Sequence, residues 1–479
     1  MRQWLSALSR RAEVDRAVLF GVLTSGWQFA AAPVTLLFIA RNLTGETQGF
    51  YYAFASLLAL QTYVELGLSV VLLNRASHEW ARLGLDGCGR VTGDADAFSR
   101  LVSLGRFAFV WYSGAGLLFV LGVGLGGHLF FSRASTGVGW QGPWWSLVTL
   151  TGVQLWALPF NALLEGCNQV ATVQQFRLSQ SILRSGALWL ALGLGAGLWA
   201  AVAAAAAGVL RDIYLLGVQY RSFFRPFLSL PRGPLVNWST DVWPMQWRLA
   251  VSGTVSYFLF QAFTPVMFHY WGPTVAGQMG MTMSVVFAVQ GLSSVWLQPK
   301  IPRFGMLIAD EQFGRLDDLW WGTTRAVVAT TATAATAVWT LVWALNAFEV
   351  GLAQRLLPPT PTAFFLLGAL GMAIGFCETA YLRAHRQEPI FVLSVVTSLL
   401  MGATVWALGS RFGSLGAAAA YLIVAVGVSL PWETTIWLRC RADWHGPQRQ
   451  PAAVPALGSP GARAGAQPVS STFVSRGKA

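Results

Sequence analysis

Long apolar stretches recur along the whole chain and are separated by short polar segments. A helix of about 20 apolar residues crosses a bilayer, because each residue adds ~1.5 Å and the hydrocarbon core is ~30 Å thick. A helix also satisfies its own backbone hydrogen bonds in lipid, where water is absent. The pattern predicts an all-α polytopic membrane protein with about twelve transmembrane helices, at residues 17–40, 49–73, 106–131, 144–166, 178–197, 199–220, 245–270, 275–298, 321–347, 362–383, 389–410 and 413–438.

The composition agrees with a surface that faces lipid. Of the 479 residues, 54% are hydrophobic and only 11% are charged, whereas a soluble domain carries about 25% charged residues. The net charge of +12 forms no Lys/Arg-rich stripe, so we expect no nucleic-acid partner. The four cysteines form no CxxC pair, and neither lysine stands in a GxxxxGK[ST] loop. The sequence therefore predicts no metal, no other cofactor and no ATP hydrolysis.

The basic residues predict which side of the membrane each loop faces. With the N-terminus inside, the outer loops hold only four of the 32 basic residues, Arg41, Arg133, Arg355 and Arg411. Cytoplasmic loops of membrane proteins carry the excess of Lys and Arg, so both termini are predicted to be cytoplasmic. Every outer loop is short and leaves no room for a catalytic domain, so we expect a protein that is not an enzyme.

An internal repeat is suggested by the first and seventh predicted helices, which align without gaps. Arg16 and Pro33 are 17 residues apart, and so are Arg248 and Pro265. Such a repeat predicts two six-helix lobes around a central cavity that binds the substrate and works by alternating access. Chance identity among alanine-rich helices is the alternative. The predicted division is an interfacial N-terminal segment 1–16, an N-lobe 17–220, a cytoplasmic linker 221–244, a C-lobe 245–438 and a disordered cytoplasmic tail 439–479.

The two matched prolines, Pro33 and Pro265, are candidates for helix bends that act as a gate. Proline removes one backbone hydrogen bond and clashes with the preceding turn. The alternative is that these prolines are simply tolerated, as is common in membrane helices.

Several short motifs with compatible helix spacing extend over most of the chain. They are Phe38–Gly45, Gly49–Tyr51, Glu65–Ser69, Leu164–Gly166, Trp243-Pro244, Arg248, Phe260-Gln261, Pro265, Gly277-Gln278, Trp296 and Lys300–Arg303. In these segments the chain resembles the oligosaccharide-lipid flippases, especially the O-antigen and polysaccharide exporters of the multidrug/oligosaccharidyl-lipid/polysaccharide exporter superfamily. One departure is the turn after the first helix, where Thr44-Gly45-Glu46 replaces the family's usual glycine-proline or acidic turn.

The resemblance implies a V-shaped transporter of the bacterial cytoplasmic membrane. Its cargo would be a polyprenyl-diphosphate-linked oligosaccharide, moved to the outer leaflet for the biosynthesis and export of a polysaccharide such as lipopolysaccharide O-antigen. The implied partners are this lipid-linked oligosaccharide, the membrane lipids and the glycan polymerase or glycosyltransferase machinery.

Four arginines are candidates for binding the diphosphate. Moving a phosphate charge across lipid is costly, and guanidinium groups offer paired donors to phosphate oxygens. Arg16 and Arg248 occupy equivalent positions of the repeat near the inner mouth, and Arg184 and Arg211 lie deeper in their helices. The alternative for Arg16 and Arg248 is anchoring, with the side chains reaching the lipid headgroups.

Glu65 is the carboxylate best placed to bind a coupling ion, either a proton or sodium. It lies about two turns from the inner end of the second predicted helix. The alternative is a structural partner for an arginine of a neighbouring helix, such as Arg248. Glu165, Glu378 and Glu433 stand near helix ends, and we expect them to be solvated or paired.

Two other functions compete with a glycan flippase. A multidrug cation antiporter of the same superfamily would line its cavity with acids, whereas the deep charges here include at least as many arginines as carboxylates. A membrane enzyme of glycan assembly normally shows a long outer loop or a histidine motif, and the five histidines of this chain are isolated. The sequence favours an anionic cargo and leaves the sugar undefined.

Overall fold

The computed structural model describes residues 2–65, 67–87, 89–134, 136–228, 233–238, 243, 246, 260–385 and 387–445. In chain order the α-helices are α1 Arg2–Asn42, α2 Gly45–Leu58, α3 Gln61–Glu65, α4 Leu68–Trp80, α5 Ala95–Phe131, α6 Gln141–Gly166, α7 Val170–Gly193, α8 Trp199–Tyr214, α9 Arg221–Phe224, α10 Phe263–Leu297, α11 Ile301–Ala309, α12 Phe313–Ala347, α13 Pro359–Ala384, α14 Phe391–Leu422 and α15 Leu430–His445. Short 3-10 segments lie at Arg225–Leu228, Gln298–Lys300 and Gly351–Arg355, and π-helical turns extend α8 and α14 at Leu215–Gln219 and Ile423–Ser429.

The helices account for the predicted transmembrane spans. Within the described ranges, eight segments are long and apolar enough to cross a membrane, and a ninth joins α2 and α3 to α4 across a bend of 45°. Two of the eight, beginning at Phe263 and Phe391, each contain a kink that separates two predicted spans. The remaining predicted span is α7, which is less apolar because it carries Arg177 and Arg184. The all-α polytopic fold is confirmed, although residues 247–259 of the seventh predicted helix lie outside the described residues.

The two kinks depend on glycines with a left-handed backbone. Gly272 has φ 85° and precedes Pro273, and Gly413 has φ 63°. Side chains other than glycine rarely adopt such values. A Cβ on Gly413 would also lie 3.2 Å from the ring of Trp271. The chain therefore reverses direction between predicted spans seven and eight and again between eleven and twelve.

The helices pack in two groups. In the first group α1 lies along α7, α5 along α6, and both α6 and α7 contact α8. In the second group α10, α12, α14 and α15 all contact α13. This grouping agrees with two lobes, whose boundaries stay a prediction.

The two groups meet where α2 packs on the middle of α10. Gly45 and Gly49 form a GxxxG pattern on α2, and small residues at this spacing allow close approach of membrane helices. A Cβ on Gly49 would overlap the Pro273 backbone, and one on Gly277 would lie 2.9 Å from the Gly49 nitrogen. The side-chain amide of Gln48 donates across the contact. The groups are thus joined at the end of the bundle predicted to face outward, which we call the outer end.

A cluster of aromatic rings fills the outer end and joins both groups. Phe50, Phe131 and Trp140 come from the first group and Phe268 from the second. The Phe50 and Phe268 rings meet edge to face with centroids 5.0 Å apart. Because lipid tails are as apolar as these side chains, the stabilisation comes from dispersion and ring geometry rather than from exclusion of water.

Several boundaries differ from the predicted ones. A two-stranded antiparallel hairpin, Leu83–Leu85 with Val91–Gly93, interrupts a segment predicted to be a plain loop. Helix α5 begins at Ala95 instead of residue 106, because Asp94 caps it through the Ala97 backbone N–H at 2.7 Å. Helix α1 runs continuously from Arg2, and its part that is apolar enough to cross a membrane begins at Arg16, so the interfacial role of 1–16 stays a prediction. Helix α15 reaches His445, and the rest of the predicted tail lies outside the described residues.

Candidate functional site

The second predicted helix is broken near its middle. Helix α2 ends at Leu58, α3 at Glu65, and α4 starts at Leu68 after Gly67, whose φ is 65°. Gln61 before the break and Ser69 after it both line one cavity. A break in a membrane helix is tolerated where the irregular backbone lies beside protein or a water-filled space.

This cavity lies inside the first helix group and has a volume of about 380 Å³. Its walls come from α3, α4, α6, α7 and α8. Apolar side chains line part of it, and the polar lining consists of Gln61, Ser69, Gln154, Asn161, Glu165, Arg177, Gln180, Arg184 and Asp212. So many polar groups within a lipid-embedded bundle favour a hydrated space.

Helical spacing explains why these residues converge. On α6, Asn161 and Glu165 follow Gln154 by seven and eleven residues, and on α7, Gln180 and Arg184 follow Arg177 by three and seven. Residues three, four or seven apart lie on one face of a helix. Gln154, Asn161 and Gln180 were not predicted as site residues, and this spacing is the signal in the sequence that could have found them.

Arg184 is the predicted site residue that reaches the cavity. Its side chain is exposed there and crosses the surface of α8, where a Cβ on Gly208 would lie 3.2 Å from the Arg184 Cδ. Fourteen residues separate it from the start of α7 at Val170, which corresponds to about 21 Å along the helix. Within the described part of the chain, its guanidinium group forms no ion pair or hydrogen bond.

The other ionisable groups of the cavity are engaged. The guanidinium of Arg177 lies 2.5 Å from Oε1 of Glu165. Asp212 is buried and accepts a hydrogen bond from the Gln180 amide at 3.0 Å. Two arginines and two carboxylates make the cavity neutral overall. Without Arg184 the remaining charged groups would sum to one net negative charge, so this guanidinium offsets the repulsion that an anion would meet.

Arg211 does not line this cavity. Its Nε donates to the Ser179 hydroxyl at 3.0 Å, and its guanidinium stacks over the rings of Phe176 at 4.6 Å and Tyr214 at 5.2 Å. Phe176 belongs to the cavity wall, so Arg211 lies behind it. Hydrogen bonding and cation–π contacts hold α7 and α8 together at this point.

The predicted pair at the inner mouth is only partly described. Arg16 is exposed on α1, a position that also suits anchoring to headgroups. Arg248 lies outside the described residues. The convergence of Arg16, Arg184, Arg211 and Arg248 on one pocket thus stays a prediction, and the structure separates Arg184 from Arg211.

Glu65 sits at the break in the second predicted helix. It is half-buried and accepts a hydrogen bond from the hydroxyl of Ser69, which stabilises the turn between α3 and α4. When Ser69–Leu72 of the second predicted helix is aligned with Ser294–Leu297 of the eighth, Glu65 corresponds to Gln290. The amide of Gln290 donates to the Tyr421 hydroxyl at 2.6 Å. The suggested partner Arg248 is outside the described residues, so both roles of Glu65 remain open.

The two predicted gate prolines differ in their surroundings. Helix α1 continues through Pro33, which is exposed. Pro265 is the third residue of α10, where its missing N–H would have no helical partner, and the turn at Gln261–Ala262 precedes it. The break at Gly67 was not predicted, whereas the kink at Gly272 falls in the loop predicted between the seventh and eighth helices.

Two acids are placed differently from the expectation. Glu378 and Glu433 were expected to be solvated or paired at helix ends, and both are buried. The reason is that α13 and α15 extend beyond them and other helices cover them. In the described ranges, no three His, Cys, Asp or Glu side chains are grouped so that they could hold a metal ion.

Comparison with known proteins identifies the fold. No protein-family model and no curated protein matches the chain. The lipid II flippase MurJ, in an inward closed conformation, aligns with a TM-score of 0.56 at 12% identity over 88% of this chain and 87% of that chain. The MATE multidrug transporter DinF-BH gives 0.52 at 14% identity over 89% and 96%. An inward-facing MATE family transporter of the MOP superfamily gives 0.52 at 11% identity over 85% and 98%. The chain therefore has the fold of these polytopic transporters.

Proposed function

We propose that this protein is a transporter that flips a polyprenyl-diphosphate-linked oligosaccharide across a bacterial cytoplasmic membrane by alternating access. The observation that carries the proposal is Arg184, which is exposed in a polar cavity of the first helix group. Among the described residues its guanidinium forms no ion pair or hydrogen bond, and Asp212 of the same cavity attracts it at longer range. The fold shared with a lipid II flippase supports the same class of cargo.

The chemistry of Arg184 suits a diphosphate. A guanidinium keeps its charge at all physiological pH values and presents two parallel N–H groups to phosphate oxygens. Such charge-assisted hydrogen bonds are worth about 1.5–3 kcal/mol each, because one or both partners are ionised. Gln154, Gln180 and Asn161 add neutral amides that could bind sugar hydroxyls without competing for the charge.

The packing of the helices suits one state of an alternating-access cycle. The outer end is closed by the α2–α10 contact and the aromatic cluster around Phe50. At the opposite end, Val70 on α4 and Val295 on α10, which match in the sequence repeat, are 46% and 63% exposed. We infer that the lobes separate on the cytoplasmic side in this state, so that cargo enters from the inner leaflet.

An ion gradient would drive the return step. Glu65 is a candidate for binding a proton or sodium, since it stands at the break between α3 and α4, where a change in its charge can alter the direction of the helix. Glycosyltransferase or polymerase machinery would supply and remove the cargo on the two sides.

A multidrug cation antiporter is the second candidate. Asp212 and Glu165 line the same cavity as Arg184, and acids in that place can bind cationic molecules. The likeness to DinF-BH, a multidrug transporter, points in the same direction. If the cargo is a cation, Arg184 would repel it until a bound ion or a conformational change offsets the charge of the guanidinium.

Transport by the purified full chain in lipid vesicles separates the two candidates. A fluorescent polyprenyl-diphosphate oligosaccharide is placed in both leaflets, and the fraction reached by a membrane-impermeant quencher is followed with time. The flippase hypothesis predicts protein-dependent exposure of the whole pool, inhibited by unlabelled lipid diphosphate. Uptake of a cationic dye driven by a pH or sodium gradient, with no movement of the glycan lipid, would replace the first candidate by the second.

A further inference from the structure

Two Glu–Thr dipeptides face each other between α13 and α15. The hydroxyl of Thr434 donates to Oε1 of Glu378 at 2.8 Å, and the hydroxyl of Thr379 donates to Oε1 of Glu433. Each helix thus gives one donor and one acceptor to a crossed pair of hydrogen bonds. Both glutamates are buried, with 3% of Glu378 and 8% of Glu433 exposed.

Among the described residues neither carboxyl group forms an ion pair, and Arg383 attracts Glu433 only from beyond contact distance. In the segments 260–385 and 387–445, no arginine, lysine or histidine nitrogen lies within ion-pairing distance of Glu378 or Glu433. Oε2 of Glu378 is fully enclosed and has no hydrogen-bond partner among the described residues. A buried carboxylate with an unsatisfied oxygen is costly in a membrane protein. Two carboxylates that share a site also repel each other when both are charged.

The structure leaves space for the Glu433 carboxyl and for access to it. A Cβ on residue 375 would lie 2.5 Å from Oε2 of Glu433, so a larger residue there would displace the carboxyl group. Glu433 lines a cavity of about 210 Å³, and a neighbouring cavity of about 500 Å³ shares Phe376, Thr379 and Arg383 with it. Polar side chains line both cavities, among them Ser394, Thr397 and Ser398 in the first and Gln290 and Ser293 in the second.

We propose that Glu378-Thr379 and Glu433-Thr434 together form a proton-binding site of the second helix group. One proton on the carboxyl pair removes the repulsion between the two glutamates and leaves one negative charge, held by the threonine hydroxyls. The two cavities along α13 give the proton a polar route toward the end at Arg383. Loss of the proton leaves two charges between α13 and α15, which pushes these helices apart.

The charged groups around the pair are few. Arg383 lines both cavities and lies 3.5 Å from Glu388, and Asp317 of α12 is paired with Arg441 of α15. Cys377 is adjacent to Glu378 on α13, and His385 and His445 lie beyond Tyr381, near the same end. Of the described wall residues, those from α10, α14 and Ile423–Ser429 carry no charge. The other charged side chains described toward this end are exposed, except for Lys300, which is half-buried near the ring of Trp296. The exposed ones are Arg303, Asp310, Glu311, Arg315, Asp318, Arg325, Arg439 and Asp443.

A proton fits this site better than a metal ion. Hard cations take about six oxygen ligands, whereas the pair offers two carboxyl groups and two hydroxyls whose hydrogens already point at the carboxyls. A proton needs a single oxygen, and Oε2 of Glu378 is free to take it. The binding itself does not depend on the cargo; only the idea that it drives transport rests on the proposed function.

Infrared difference spectroscopy of the full chain in lipid tests the site without any cargo. Spectra are recorded as the pH falls from about 8 to about 5.5, a range in which exposed carboxylates stay largely ionised. We expect the wild type to gain the C=O band of a buried protonated carboxyl group, equivalent to one proton per chain. Glu378→Gln and Glu433→Gln should each lose that band, because the amide keeps the acceptor for threonine but cannot bind the proton. The control Glu311→Gln, at an exposed glutamate, should keep it.

Each result decides the question. The absence of the band in the wild type, or its persistence in both variants, would overturn the proposal. If either variant cannot be purified, the other variant and the wild-type titration still decide. Loss of the C=O band on addition of sodium chloride, but not of choline chloride, at constant pH would indicate a sodium site. That result would also overturn the proposal. If the wild type gains the band but does not move the glycan lipid, the proposed function is rejected and the proton site stands. If it moves the glycan lipid but gains no band, the proton site is rejected and the proposed function stands.

Discussion

The side-chain amide of Gln48 donates across the two helix groups to the backbone carbonyl of Gly277, at 2.9 Å. The same nitrogen also lies 3.1 Å from the Arg355 carbonyl oxygen. Gln48 is 1% exposed and stands between the two glycines of the GxxxG pattern on α2. Polar groups in lipid must be satisfied within the protein. This bond, together with the neighbouring contact between Gly49 and Gly277, therefore holds the outer end closed.

Gly49→Ala should open the outer end. The added Cβ would overlap the Pro273 backbone, and such overpacking typically costs about 1–3 kcal/mol, or roughly 5- to 150-fold in a conformational equilibrium. The measurement is the rate at which a membrane-impermeant maleimide modifies a cysteine placed at Met281, which is buried in this contact, in an otherwise cysteine-free chain.

The matched control for that experiment is Gly21→Ala. A Cβ at residue 21 meets nothing within 4 Å, so the same change on α1 should leave the modification rate unaltered. An unchanged rate in Gly49→Ala would mean that the α2–α10 contact does not control access.

Arg184→Gln should impair export much more than Arg211→Gln. Removing the exposed guanidinium removes charge-assisted donors worth about 1.5–3 kcal/mol, which corresponds to roughly a 10- to 150-fold loss of transport rate. Arg211 is held by Ser179 and two aromatic rings behind the cavity wall, so its replacement should act mainly on folding.

Complementation of a glycan-export-deficient strain measures this difference, with membrane levels of each variant determined in parallel. A variant Arg184→Lys should recover part of the activity, because it keeps the charge and loses the paired geometry. Equal export by wild type and Arg184→Gln would refute the role of this arginine, and loss of both proteins from the membrane would indicate structural roles instead.

Asp317→Asn should destabilise the inner end of the second helix group. Asp317 of α12 accepts a hydrogen bond from the Tyr381 hydroxyl of α13 at 2.8 Å and pairs with Arg441 of α15 at 2.5 Å. The pair is partly exposed, so we expect a loss of about 1–2 kcal/mol and a lower Tm of the purified protein. Asp318→Asn changes the exposed neighbouring acid and should alter the Tm little. The same Tm in both variants would show that the three-helix junction contributes nothing measurable.

His385, just after α13, should make stability depend on pH. Burial lowers the pKa of its imidazole below the usual 6.5, against the opposing effects of the Tyr381 carbonyl and Asp317. Below pH about 6.5 the unfolded chain then binds more protons than the folded one, so stability is present above that pH and is lost as the pH falls. The Tm of wild type should fall between pH 7 and pH 5.5 (a range of about 1.5 units around that of free histidine) more steeply than that of His385→Gln. Replacing the exposed His78 by Gln should leave the wild-type slope unchanged; parallel slopes for all three proteins would contradict the prediction.

The transmembrane helices could be predicted because the bilayer constrains sequence and structure together. A segment that crosses lipid must be apolar over a fixed length and must satisfy its own backbone. The predicted spans within the described residues therefore correspond closely to α1–α15, and most of the seventh lies outside those residues. Glycine and proline at 272–273 and glycine at 413 marked two reversals of the chain, which the predicted loops had already placed. Polar residues of α6 and α7 at spacings of three, four and seven would also have predicted the cavity, had that pattern been used.

What each charged side chain does was decided by the tertiary structure. Arg184 and Arg211 both lie deep in neighbouring helices, and sequence gives them equal standing. Arg184 faces a cavity, whereas Arg211 is held between aromatic rings. Successive residues of a helix differ in direction by about 100°, and only the neighbouring helices determine which direction is open. The same applies to Glu378 and Glu433, which stand 55 residues apart in the chain. Their crossed hydrogen bonds exist only because α13 packs against α15, a contact that no local pattern specifies.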